Sequence, residues 1–98
     1  MNSISRSTTV RAILTRALGL VQSGWTQGAN HIVDHGRDRY CARGAILATN
    51  PRRPYLTCQA FNLLQGSARV TSIVRWNDSP KRTKKSVVSA FKRAIARA

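Results

Sequence analysis

Residues 23–38, Ser-Gly-Trp-Thr-Gln-Gly-Ala-Asn-His-Ile-Val-Asp-His-Gly-Arg-Asp, decide how the rest of the chain is assembled. Glycines stand at 24, 28 and 36 among polar residues and two histidines, and neither a period of two nor one of 3.6 is sustained. The stretch reads as a long ordered loop, of the kind that in a compact domain is functional or mobile. With no strand in it, every segment that carries apolar periodicity reads as helix. The expected fold is therefore all-α, a single compact domain of about four helices with a long Gly-containing loop after the first.

On the N-terminal side of this loop, Val10, Ile13, Leu14, Ala17, Leu18 and Val21 recur at spacings of three and four and form one helical stripe. Ser7, Thr8 and Thr9 offer its N-cap, and Gly24 ends the run as a C-terminal glycine would. Residues 1–6 lie ahead of the helix and are expected to be flexible. On the other side, Asp38 can cap a helix over residues 39–49 that buries Tyr40, Cys41, Ala45 and Ile46. Gly44 in its middle costs about 1 kcal/mol against alanine, which implies that another backbone packs closely there.

Asn50-Pro-Arg-Arg-Pro54 is a turn, because both prolines resist helix interiors and restrict the residue before them. A third helix carries Tyr55, Leu56, Cys58, Ala60, Phe61, Leu63 and Leu64, with Gly66 ending its pattern. Residues 70–76 alternate in a way that suits a short strand or a turn of helix. A lone strand has no partner, so helical or extended packing on the core is expected. Asn77-Asp-Ser-Pro80 reads as a turn. Thr83 then caps a last helix with Val87, Val88, Phe91, Ala94, Ile95 and Ala98 on one side. The core expected from these stripes comprises Val10, Ile13, Leu14, Leu18, Ile46, Phe61, Leu64, Val88, Phe91 and Ile95.

Charge narrows the function. Seventeen Lys and Arg stand against three Asp and no Glu in 98 residues, a net charge of +14. Such a surplus draws polyanions and says more about partners than about fold. With 42% hydrophobic residues the chain has the composition of a folded body and not of a disordered basic tail. No apolar run approaches the roughly 20 residues that span a bilayer, and no secretory signal pattern opens the chain, so a soluble protein of the cytoplasm without membrane contact is expected. Cys41 and Cys58 are too few for a disulfide framework and read as small buried thiols.

Three short blocks stand out: Gly24-Trp-Thr-Gln-Gly-Ala29, Cys41-Ala-Arg-Gly-Ala45, and Trp76-Asn-Asp78 followed by Arg82-Thr83 and an amphipathic helix. In this order they resemble an uncharacterised family of small bacterial and bacteriophage proteins with a GWTQGA block, a WCxxGA block and a WND block. Tyr40 stands where that pattern has Trp, and the chain is more basic than the pattern requires. The resemblance implies a common fold and a phage or mobile-element setting, and it carries no catalytic residue with it.

Chemistry-bearing side chains are sparse. His31 and His35 with Cys41 and Cys58 are of the right type for tetrahedral zinc, but no CxxC pair is present and the cysteines fall on separate helices. Cys41 with a histidine base and Asp34 has the residue types of a nucleophilic site but no nucleophile elbow or oxyanion loop. No catalytic residue, cofactor or metal is expected. In the first block, Trp25 and Gln27 could meet a nucleic-acid base, or could close the core from outside. Trp76-Asn-Asp78 reads as an anchor that launches the last helix.

The basic residues carry the functional expectation. Lys81, Arg82, Lys84 and Lys85 cluster at the start of the last helix, where cations oppose its dipole, so helix stability does not account for them. Lys92, Arg93 and Arg97 continue the track along the helix, and Arg52 and Arg53 join from the turn. The expected function is a non-enzymatic basic binding protein that engages nucleic acid or a nucleoprotein complex, mainly through phosphate contacts. The alternative, drawn from the resemblance, is a small phage accessory protein that binds and inhibits a host machine such as a nucleic-acid-dependent defence complex.

Overall fold

The computed structural model describes residues 9–98 as one body in which five helices surround a common core and a two-stranded hairpin projects from it. The flexible segment expected over residues 1–6, and the cap candidates Ser7 and Thr8, lie outside the described residues. The elements are α1 (Val10–Ser23), β1 (His31–Asp34), β2 (Arg37–Tyr40), α2 (Ala42–Ala48), α3 (Pro54–Ala68), α4 (Ile73–Asp78) and α5 (Lys84–Arg97). No helix among the described residues is long and apolar enough to cross a membrane.

The all-α expectation of about four helices is overturned: the fold is mixed, five helices with a small antiparallel sheet. The hairpin lies mostly inside the stretch that reads as loop and takes Arg39 and Tyr40 from the expected second helix. Its register pairs His31 with Tyr40 and Asp34 with Arg37, leaving His35-Gly36 as a two-residue turn. Both turn residues have positive φ, 51° and 75°, the signature of a type I′ turn, whose twist matches that of the strands. Because most hairpin side chains are exposed, the strands need no buried face, and the alternation that would reveal one is missing. Cross-strand contacts set the register instead. The His31 and Tyr40 rings stack with centroids 4.7 Å apart, and His31 Nε2 lies 2.7 Å from Asp38 Oδ1.

β2 is extended by the segment after α1. Tyr40 N donates to Gly24 O at 2.9 Å, and Thr26 N donates to Tyr40 O at 3.1 Å. Gly24 does end α1, but not through a left-handed cap: its φ is −171°, and a Cβ there would overlap the Asp38 carbonyl. The glycine is needed for close approach of two backbones.

α1 packs against α2, α3 and α5 and occupies the centre of the molecule. Thr9 caps it by accepting from Ala12 N. Its stripe buries Ile13, Leu14, Ala17 and Val21 completely. Of the expected core, Ile13, Leu14, Ile46, Leu64 and Phe91 are fully buried, while Val10, Leu18, Phe61, Val88 and Ile95 pack on the cluster half-buried. Trp76, Ile73, Leu56, Val87 and Val21, with six alanines, complete it.

Helix limits differ from the expected ones for identifiable reasons. α2 starts at Ala42 because Asp38–Tyr40 are committed to β2, and Cys41 serves as its N-cap. Gly44 sits against the Asn30 carbonyl, where a Cβ would overlap it, which is the close backbone approach its helical position implies. Gly66 does not end α3. The helix runs to Ala68 and closes with Arg69 in the left-handed region, φ 58°, where Arg69 N reaches Gly66 O and Val70 N reaches Gln65 O. α4 is helical because Ser72 caps it by accepting from Arg75 N while the Gln65 side chain accepts from Ile73 N. Asn77 and Asp78 form its last turn, so the expected turn at 77–80 begins two residues later. α5 has the expected Thr83 cap, completed by a reciprocal bond from Ser86.

Candidate anion-binding site

The three sequence blocks meet at one buried side chain. Asn77, fully inaccessible to solvent, accepts from Trp25 Nε1 at 2.8 Å and from Ala42 N at 3.0 Å through Oδ1. Its Nδ2 donates to Thr26 O and to Asp78 Oδ1. Gln27 Nε2 donates to the carbonyls of Asn77 and Ser79, and Asp78 Oδ1 accepts from Gly28 N. Trp25 Nε1, Thr26 N, Gln27 Nε2 and Gly28 N of the Gly24–Ala29 loop are thus spent inside the molecule. The blocks are a joint between the loop, α2 and α4, and Trp25 and Gln27 do the closing work.

The thiols and histidines do not gather. Cys41 is buried, its sulfur accepting from Gly44 N at 3.3 Å and lying 3.6 Å from Asn30 Oδ1. Cys58 is exposed, against the expectation of burial, because it falls on the outer side of α3 while Leu56, Ala60 and Leu64 face the core. Both are free thiols. His31 is engaged with Asp38, and His35 Nδ1 lies 2.8 Å from Asp34 Oδ1. Among the described residues no three His, Cys or Asp side chains are placed to hold a metal.

Few acids are present to neutralise the cations, and helix ends take their place. The carbonyls of a last helical turn lack intrahelical partners and carry the negative end of the dipole. Lys84 Nζ donates to Gln22 O at the end of α1, and Arg93 Nε to Ser67 O at the end of α3. Arg82 Nε donates to Trp76 O in α4, and Arg11 Nη1 reaches Ile95 O in α5 at 3.5 Å. Four helices therefore receive a cation from elsewhere in the chain. Arg82 also lies over the Trp76 ring, 4.6 Å from its centroid.

Two adjoining clefts share Trp76 and Arg82. One, of about 440 Å³, lies between the end of α3, α4 and α5, and contains Arg82, Lys85 and Arg93 with Thr83, Ser86 and Ser89. The other, of about 400 Å³, contains Arg69, Arg75 and Arg82 with Thr71 and Ser72. Five cations line the pair, and no carboxylate does. The three acids are placed elsewhere: Asp34 and Asp38 pair within the hairpin and Asp78 bonds Gly28. Asp34 Oδ2 is also 3.2 Å from Arg39 Nε, within ion-pair distance but not aligned as a hydrogen bond.

Of the residues singled out in the sequence, the structure brings Arg82, Lys85 and Arg93 together. Lys84 turns instead to the end of α1. Lys92 and Arg97 are exposed on α5, and Lys81 is exposed in the turn before it. Arg52 and Arg53 are exposed ahead of α3 and line neither cleft. The sequence pattern does not mark Arg69 and Arg75, because Gly66 reads as the end of α3 and residues 70–76 suit strand or helix; Ser72 as an N-cap is the signal that points to α4.

No curated protein and no solved structure matches the chain. A family model, described as a family of unknown function (DUF6197), matches residues 5–97, nearly the whole sequence, and the chain belongs to that family.

Proposed function

We propose that the protein is a non-enzymatic binding protein that engages nucleic acid, or a nucleoprotein complex, mainly through phosphate contacts. The observation that carries this reading is the pair of clefts around Arg82, where five cations and a set of hydroxyls converge without a carboxylate. An ordinary solvated face intersperses both signs. The only aromatic ring lining these clefts, Trp76, is 8% exposed and offers no platform for a base. Contact would therefore be with the backbone and tolerant of sequence. The three sequence blocks support a bacterial or bacteriophage setting for this activity.

The test is binding of labelled single- and double-stranded oligonucleotides across a salt series. Affinity should fall with a log–log slope of roughly 0.9 per phosphate contacted on duplex DNA, or roughly 0.7 on a single strand. Replacing Lys85 and Lys92 together by Glu should abolish binding and leave the circular dichroism unchanged. A flat salt dependence would overturn the reading. A host protein as target, inhibited by a phage accessory protein, is the second reading. Exposed Tyr55 and Val74 favour it, and it is separated by capture from nuclease-treated lysate that survives the Lys85→Glu/Lys92→Glu change.

A further inference from the structure

We infer that the cleft between the end of α3, α4 and α5 is a preformed receptor for one phosphate group, with the guanidinium groups of Arg82 and Arg93 as its principal ligands. The inference deepens the phosphate-binding reading above and rests on it for the class of ligand.

Of the five cations that line the two clefts, these two arginines are the ones held by a hydrogen bond among the described residues, each through Nε alone. Arg82 Nε is held by Trp76 O at 2.9 Å and Arg93 Nε by Ser67 O at 3.3 Å. A guanidinium carries five N–H donors in a planar fork, so anchoring Nε leaves the terminal nitrogens to donate while limiting how the fork can turn. Arg82 is restrained further by the Trp76 ring beneath it. Side-chain freedom that binding would otherwise remove is already reduced in the free protein, which favours affinity.

The rest of the cleft suits an anion. Lys85 lines it from α5, and among the described residues neither its ammonium group nor the Ser89 hydroxyl has a side-chain partner. Thr83 Oγ1 accepts from Ser86 N, which leaves its O–H to donate. Trp76 and Ala68 supply the apolar part of its wall, and Trp76 carries the Arg82 guanidinium on its ring face. By contrast Lys81, Lys92 and Arg97 are exposed and unanchored, and would add to the field without defining a site.

The phosphate could be an internal phosphodiester of a strand, a terminal phosphomonoester, or a free anion, and the experiment separates these sources. Affinities of the full chain are measured at fixed ionic strength for inorganic phosphate, a 5′-phosphorylated oligonucleotide and its 5′-hydroxyl counterpart. Arg93→Lys and Arg82→Lys keep the charge and remove the fork, and Ser89→Tyr fills the cleft without altering charge. Melting curves accompany each variant, and Ser89→Tyr carries the test if the arginine variants fail to fold. Affinity for whichever probe binds should fall at least tenfold in Arg93→Lys and in Ser89→Tyr, and less than threefold in Lys92→Gln. Equal affinity for the two oligonucleotides assigns an internal phosphate, a preference for the phosphorylated one a terminal group, and binding of inorganic phosphate alone a free anion. That last outcome sinks the nucleic-acid reading and leaves the site standing. Oligonucleotide binding that is unchanged in folded Arg93→Lys and Ser89→Tyr overturns the site and leaves the nucleic-acid reading.

Discussion

The indole N–H of Trp25 donates to Oδ1 of Asn77 at 2.8 Å, joining the loop after α1 to the last turn of α4 across 52 positions of sequence. The same oxygen accepts from Ala42 N at the start of α2, so a single carboxamide ties three elements. Replacing Asn77 by Ala would orphan both donors and the Thr26 carbonyl, each at about 1–3 kcal/mol when buried. The expected loss is about 3 kcal/mol or more in urea unfolding. Asn77→Asp should cost a comparable amount, since it keeps the acceptor but loses the amide donor and buries a charge beside Asp78. A loss under 1 kcal/mol in either variant would show that the joint does not hold the fold.

Gly44 and Gly66 make a matched pair. Both lie in helices, but a Cβ at 44 would overlap the Asn30 carbonyl, whereas nothing lies near one at 66. Gly44→Ala should therefore destabilise by about 3 kcal/mol, as overpacking against backbone does. Gly66→Ala should stabilise by about 1 kcal/mol through helix propensity. Denaturant midpoints moving in opposite directions would bear out both, and movement of both in one direction would not.

What could be read from the sequence followed burial. The stripes of α1 and α5 were legible because each buries one face, and their caps, Thr9 and Thr83, are where those stripes begin. The hairpin was not, because Ile32 and Val33 are both exposed and no alternation marks its faces. Only the turn chemistry of His35-Gly36, a residue type that tolerates positive φ followed by glycine, was there to find it. The candidate site divides in the same way. Lys85 and Arg93 are one helical face apart by eight residues and could be paired from spacing, but Arg69 and Arg75 reach the cleft through a cap and a short helix that long-range packing defines.

The cations fall into two groups that mutation should separate. Arg82→Ala removes a carbonyl partner and a ring contact, and about 1–2 kcal/mol should be lost. Lys81→Ala and Lys92→Ala, whose side chains are exposed and held by no hydrogen bond or ion pair among the described residues, should stay within about 0.5 kcal/mol of the parent. Thermal melts of the three variants side by side decide the matter, and equal losses would mean that charge alone, not position, sets stability.

Thiol reactivity should report the corrected placement of the cysteines. Cys58 is exposed on α3 and Cys41 is 3% exposed with its sulfur hydrogen-bonded. An aromatic disulfide reagent should titrate one thiol in the native protein and the second only in denaturant. The fast thiol should vanish in Cys58→Ser and persist in Cys41→Ser. Two fast thiols in the native protein would mean that the joint around Asn30 and Gly44 opens readily.

Arg69 stands where a helix normally ends in glycine. At φ 58° a side chain is strained by roughly 1–2 kcal/mol, while glycine adopts the conformation freely at the cost of a more flexible unfolded chain. Arg69→Gly should therefore raise stability, by about 1 kcal/mol once that entropy is offset. The same change removes a cation from the cleft it shares with Arg75 and Arg82, so affinity for a nucleic-acid strand should fall and the salt slope should shrink by about one contact. Strain retained at one position with a gain in binding is what a functional residue would show. A variant that is more stable and binds as well as the parent would place Arg69 outside the interface. A less stable one would mean that the left-handed backbone costs less than the freedom glycine adds to the unfolded chain.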